Sequence, residues 1–115
     1  MMLLRSMLVS FFLLSMSISW AQEGFPGREK FPDIPYIELE DFYKGYTNNE
    51  YIIVDVRSQF EYNVIQVKGS HNIPLGNDDY ESKITALAQK TTKPIVFYCN
   101  GRRCMKSYKA AVQSK

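Results

Sequence analysis

The residues of this 115-residue chain best suited to chemistry lie in one short segment, Cys99-Asn100-Gly101-Arg102-Arg103-Cys104. A cysteine acts as a nucleophile through its thiolate, so the question is what stabilises negative charge at sulfur. Gly101 admits backbone angles closed to other residues. Successive amides in such a turn can point inward and form an anion cradle. A helix starting after the segment adds the positive end of its dipole, and Arg102 and Arg103 add two full charges beside it. These features predict a thiolate at Cys99, suited to attack on an anionic sulfur donor and to holding the resulting persulfide.

The same residues allow other readings. Two cysteines in an oxidising compartment can close a structural disulfide. His71 is the only histidine, so a Cys-His dyad would have to use it, and its place in a short strand pattern favours a structural role. A zinc site would need Cys99, Cys104, His71 and a further ligand, without the paired close spacings of zinc modules. The Cys-x-x-Cys-His pattern of haem attachment is absent. The expectation is a site with no metal and no organic cofactor.

The elements that must position Cys99 can be read around it. Tyr51-Ile52-Ile53-Val54-Asp55-Val56 is nearly continuous in apolar and β-branched residues, as in a strand buried on both faces of a parallel sheet. Arg57 follows, and Ser58-Gln59-Phe60-Glu61 has the spacing of a capping box that opens a helix. The segment Gly69-Ser70-His71-Asn72-Ile73-Pro74 reads as a short strand closed by proline. Asp78-Asp79-Tyr80-Glu81 reads as a second helix start, with Tyr80, Ile84, Leu87 and Ala88 on one face. Ile95-Val96-Phe97-Tyr98 is a second buried strand running into Cys99, and Tyr108, Ala111 and Val112 carry helical spacing beyond the loop. A short strand over Tyr36 to Leu39 and a helix over Glu40 to Tyr46 are expected upstream. Strands alternating with helices predict an α/β fold with a mainly parallel sheet. In open sheets of that kind ligands bind beyond the carboxyl ends of the strands, where Cys99 stands.

The length suits one domain, and 45% hydrophobic with 23% charged residues is ordinary for a globule. A net charge of +2 lacks the basic excess of a nucleic-acid binder. The N-terminus differs from the rest. Arg5 precedes the apolar run MLVSFFLLSMSIS, and Ser19-Trp20-Ala21 places small residues three and one positions before a cut. This pattern predicts a signal peptide over residues 1–21 and a periplasmic or secreted product. The run is shorter than the roughly 20 apolar residues of a membrane span, so no stable membrane anchor is expected after cleavage. Residues 22–35, with three prolines and two glycines, read as an extended leader or linker.

The sequence resembles the rhodanese-homology superfamily across roughly residues 36–115. The resemblance is carried by Asp55-Val56-Arg57 with Glu61-Tyr62 after it, by Gly69-Ser70-His71-Asn72-Ile73-Pro74, and by Phe97-Tyr98-Cys99 opening the loop. The run CNGRRCMKSYKAA is similar to a subgroup of exported bacterial members with a second cysteine at the loop's end. The resemblance implies a rhodanese-like α/β domain, a mainly parallel sheet flanked by helices. It also implies a sulfurtransferase. Cys99 would take sulfane sulfur from a small anionic donor such as thiosulfate, become a persulfide, and yield the sulfur in a ping-pong cycle. The acceptor would be cyanide in an assay, or in the cell a thiol or a periplasmic sulfur-carrier protein. Asn100, Gly101, Arg102, Arg103 and Cys104 match the remaining loop positions, which bind the anion and wrap the persulfide with amides. Asp55, Arg57 and Glu61 match positions that support the architecture near the site, with no catalytic step assigned to them.

Two departures stand out. Ile65-Gln66 occupy positions where the family usually has Gly-His. Members also generally continue with one more strand and helix, so the resemblance implies a domain over 36–115 lacking that last pair, with unpaired strand edges. Related phosphatase loops place an arginine six positions after the cysteine. Here that position is Met105, so the short loop fits sulfur rather than phosphate. The rival expectation is a catalytically inactive rhodanese-like binding module or fragment, with Cys99 and Cys104 locked as a disulfide.

Overall fold

The structure, a computed structural model, describes residues 29–115. The expected signal peptide over 1–21, and residues 22–28 of the expected leader, lie outside the described residues. Among the described residues four helices and three strands alternate: α1 (Leu39–Thr47), β1 (Ile52–Asp55), α2 (Gln59–Val64), β2 (His71–Asn72), α3 (Tyr80–Ala88), β3 (Ile95–Tyr98) and α4 (Lys106–Gln113). The strands form one parallel sheet in the order β2-β1-β3. In register, Val54 faces His71 on one side and Phe97 on the other, and Asp55 faces Asn72 and Tyr98. The small α/β architecture, a parallel sheet flanked by helices, is of the kind that the resemblance implies.

The run around β1 is apolar on both sides because it is the central strand. Ile53 is 5% exposed, and Val54 and Asp55 are fully buried. Val54, Val56, Ile73, Tyr80, Ile84 and Ala110 form the core, with Leu87, Phe97 and Cys99 packed against it. Full burial of each large apolar side chain contributes about 1.5–3 kcal/mol. Tyr80 is buried with its hydroxyl satisfied: it donates to the Ala110 carbonyl at 3.2 Å, across α3 and α4.

Helix starts follow local chemistry to different degrees. At α2, Ser58 and Glu61 form the full capping box, the Ser58 side chain accepting from the Glu61 amide and the Glu61 carboxylate from the Ser58 amide. At α3, Asp79 occupies the cap position without a capping bond, and its carboxylate instead pairs with Lys83 at 2.7 Å, one turn on. The strand expected over Tyr36–Leu39 does not form. Residues 35–38 are irregular and α1 begins at Leu39. Pro35 cannot donate to a ladder, and among the described residues the sheet offers this segment no pairing strand. Residues 29–35, expected as an extended leader, turn instead, burying Ile34 to 8% exposure and setting the Phe31 ring 6.1 Å from that of Tyr108. Among the described residues no helix is long and apolar enough to cross a membrane.

Candidate functional site

The parallel strands β1 and β3 end side by side at Asp55 and Tyr98, and the chain beyond each end builds the site. Past β1, Arg57 folds back onto Asp55. Its backbone amide donates to Oδ1 at 2.9 Å, and its Nη2 reaches Oδ2 at 2.6 Å in a pair almost shut off from solvent. Burial works against the Asp55 carboxylate, but the Arg57 guanidinium and the Tyr98 hydroxyl outweigh it and hold the carboxyl below its usual range. The same bond to Asp55 raises Arg57 further above its already high value. Arg57 also donates to the Ile65 carbonyl at 2.6 Å and lies 5.5 Å from the Tyr98 ring centroid, a cation–π distance.

Arg57 extends into the loop after β3, its Nη1 donating to Asn100 Oδ1 at 3.4 Å. The other end of that amide, Asn100 Nδ2, donates to Glu61 Oε1 at 2.8 Å. Asn100 is thus gripped from β1's end and from α2 at once. The hydrogen bonds from Asn100 and from Ser58 pull the Glu61 carboxyl down to about 2. Arg57 and Glu61, expected as architectural supports, meet the loop through this one side chain, and Asp55, expected in the same role, holds Arg57.

Within the loop, Gly101 takes a φ of +129°, a conformation that disfavours any side chain, and its carbonyl accepts from the Cys104 amide at 3.0 Å. Arg102 and Arg103 are exposed. Arg102 pairs with Glu38 at 3.0 Å, tying the loop to the segment before α1.

Cys99 follows β3 and is half-buried, its sulfur aimed toward α4. The Ser107 amide donates to Cys99 Sγ at 3.4 Å, and the Ser107 hydroxyl lies at the same distance. The thiol in turn points at the Cys104 carbonyl, also 3.4 Å away. Burial pushes the Cys99 thiol up and its hydrogen bond to the Cys104 side chain adds to the rise, while Ser107 pulls the other way. At Cys104 burial again opposes ionisation, but the bond from Cys99 and the backbone amides of Asn100 and Lys106 outweigh it and bring the thiol down. Both cysteines are free thiols. The residue types of the loop predict a depressed thiol at Cys99. Cys99 packs against the core, where charge is disfavoured, so burial opposes the thiolate that the residue types of the loop predict there.

A groove of about 360 Å³ runs along β3, with Tyr36, Tyr51, Phe97, Cys104, Ser107 and Tyr108 among its lining residues. Cys104 lines it, and Cys99 does not. Ser107 is the site residue that the sequence motifs do not single out. The available signal is its place in the first turn of α4, where amides and hydroxyls face back toward the preceding loop. His71 lies in β2, separated from β3 by the whole of β1.

The family model described as "Rhodanese-like domain" matches residues 38–115. No curated protein and no solved structure matches the chain.

Proposed function

The chain belongs to the rhodanese-like domain family, and on that premise we propose that it is a sulfurtransferase working through a Cys99 persulfide. The observation that carries this reading is the seating of Cys99. It stands at the carboxyl end of β3 with the Ser107 amide on its sulfur, in a loop gripped at Asn100 by both Arg57 and Glu61. In the first half-reaction the Cys99 thiolate attacks the outer sulfur of thiosulfate. The new S–S bond forms as the old one breaks, and sulfite departs with the bonding pair. In the second half-reaction an acceptor attacks the outer persulfide sulfur and Cys99 leaves as a thiolate. With cyanide the product is thiocyanate. Ser107 serves Cys99 in both halves, because its amide and hydroxyl favour the charged sulfur that attacks first and leaves last.

The N-terminal apolar run supports export, so the proposed location is periplasmic or secreted, and the proposed acceptor there is a small thiol or a sulfur-carrier protein. The test is thiocyanate formation from thiosulfate and cyanide. The intact protein turns over, and Cys99→Ser does not. Retained activity in Cys99→Ser would remove the assignment.

A second reading, the inactive binding module, draws on the closeness of the two cysteines, the Cys99 thiol lying 3.4 Å from the Cys104 carbonyl. It requires the purified protein to carry a disulfide that reduction does not convert into sulfur uptake.

A further inference from the structure

We propose that Cys104 is a second sulfur carrier, to which the Cys99 persulfide passes its outer sulfur before delivery to the acceptor. The inference rests on the sulfurtransferase reading and extends it to the residue that meets the acceptor.

Three independent placements point the same way. The Cys99 thiol lies 3.4 Å from the carbonyl of Cys104 itself, so the closed loop brings the two cysteines together. The Ser107 amide donates to Cys99 Sγ at 3.4 Å, and the backbone at Asn100 and Lys106 favours the ionised form of Cys104. Finally, the groove beside β3 opens onto Cys104 and Ser107, whereas Cys99 is turned from it against the core. A groove bounded by tyrosine and phenylalanine rings suits an acceptor larger and less polar than thiosulfate, such as a peptide bearing a thiol.

The step balances without any outside oxidant or reductant. The Cys104 thiolate attacks the outer sulfur of protonated Cys99–S–SH. The Cys104–S bond forms, the Cys99–S bond breaks, and its electron pair stays on Cys99, which leaves as a thiolate. The proton remains on the sulfur that moves. Ser107 stabilises the leaving thiolate on Cys99. The products are Cys104–S–SH, facing the groove, and a Cys99 free to load again. Attack on the inner sulfur would be a different reaction, giving a Cys99–Cys104 disulfide and hydrosulfide.

Arg102 and Arg103 make the test direct, since trypsin cuts after each and separates the two cysteines. The reduced protein is incubated with thiosulfate, alkylated while being denatured, digested, and its peptides weighed for one extra sulfur atom. The sulfur is expected on the Cys104 peptide of the unaltered protein, on the Cys99 peptide of Cys104→Ser, and on neither peptide of Cys99→Ser. Transfer from Cys104→Ser to a thiol-bearing peptide is expected to be slower by about tenfold, the order lost with a positioned nucleophile. Sulfur found on Cys99 alone in the unaltered protein overturns the relay and leaves the sulfurtransferase reading standing. A disulfide with released sulfide, or loading of Cys104 in Cys99→Ser, also overturns the relay. A folded, reduced protein that takes up no sulfur at either cysteine overturns both.

Discussion

Asn100 Nδ2 donates to Glu61 Oε1 at 2.8 Å, and this single bond joins the first turn of α2 to the loop that carries Cys99. The contact links residues 39 positions apart in sequence, and its acceptor is also the residue that closes the α2 capping box. Loop position and helix start are therefore coupled. Asn100→Ala is expected to keep the fold and lower kcat/KM for thiosulfate by about fivefold, the scale of one ordinary hydrogen bond. Steady-state kinetics beside a thermal melt checks this. Unchanged kinetics would mean that the loop is held by its own turn alone.

The same carboxylate gives the protein a signature in acid. Glu61 titrates at about 2 in the folded chain, against 4.5 for an ordinary glutamate. Its contribution to stability is thus complete above about 4.5 and is lost as pH falls through the folded value. Asp55, also depressed, adds a dependence of the same sign. Urea midpoints measured from pH 6 down to pH 2 should fall for the intact protein and fall less steeply for Glu61→Gln. Parallel curves would show that Asn100 and Ser58 do not stabilise the charged form.

Asp55→Ala should be far more damaging. It leaves the Arg57 guanidinium buried with its main partner gone, and breaking a buried ion pair from one side costs about 3–5 kcal/mol. For comparison, Ile84→Ala, which empties part of the core beneath α3, should cost about 2–5 kcal/mol. Chemical denaturation ranks the two against the intact protein. An Asp55→Ala loss below about 1 kcal/mol, the scale of a single neutral hydrogen bond, would mean that Arg57 is satisfied by the Ile65 carbonyl and Asn100 without it.

Ser107→Ala tests the sulfur's own surroundings. Burial raises the Cys99 thiol and Ser107 opposes the rise, so removing the hydroxyl should push the thiol higher still. Loading by thiosulfate should then climb with pH along a profile displaced to the alkaline side, with a rate at neutral pH lower by about threefold. Single-turnover sulfite release across pH reads this directly. An unshifted profile would assign the effect to the Ser107 amide alone.

Much of this arrangement is legible in the order of the residues. The continuous β-branched run at 51–56 marks the central strand because burial on both faces leaves no room for alternation. Ser58 and Glu61 mark the start of α2 because a capping box is a purely local device. Cys99 stands out by its place between a strand and a helix. Orientation and long-range pairing are not legible in the same way. The segment at Tyr36 has strand-like residues, but a strand exists only where a neighbour supplies a ladder, and none does so here among the described residues. The pairing of Arg102 with Glu38, 64 positions away, is equally invisible in the order of the residues. The packing of the Cys99 sulfur against the core and α4 depends on which way a six-residue loop turns, and residue types do not specify that.

The most direct measurement is the intact mass of the reduced protein before and after incubation with thiosulfate, together with that of Cys99→Ser. A gain of one sulfur atom, removed by cyanide and absent from Cys99→Ser, is the predicted result. A folded protein with free thiols that gains no sulfur, or a Cys99→Ser protein that gains one, would contradict it.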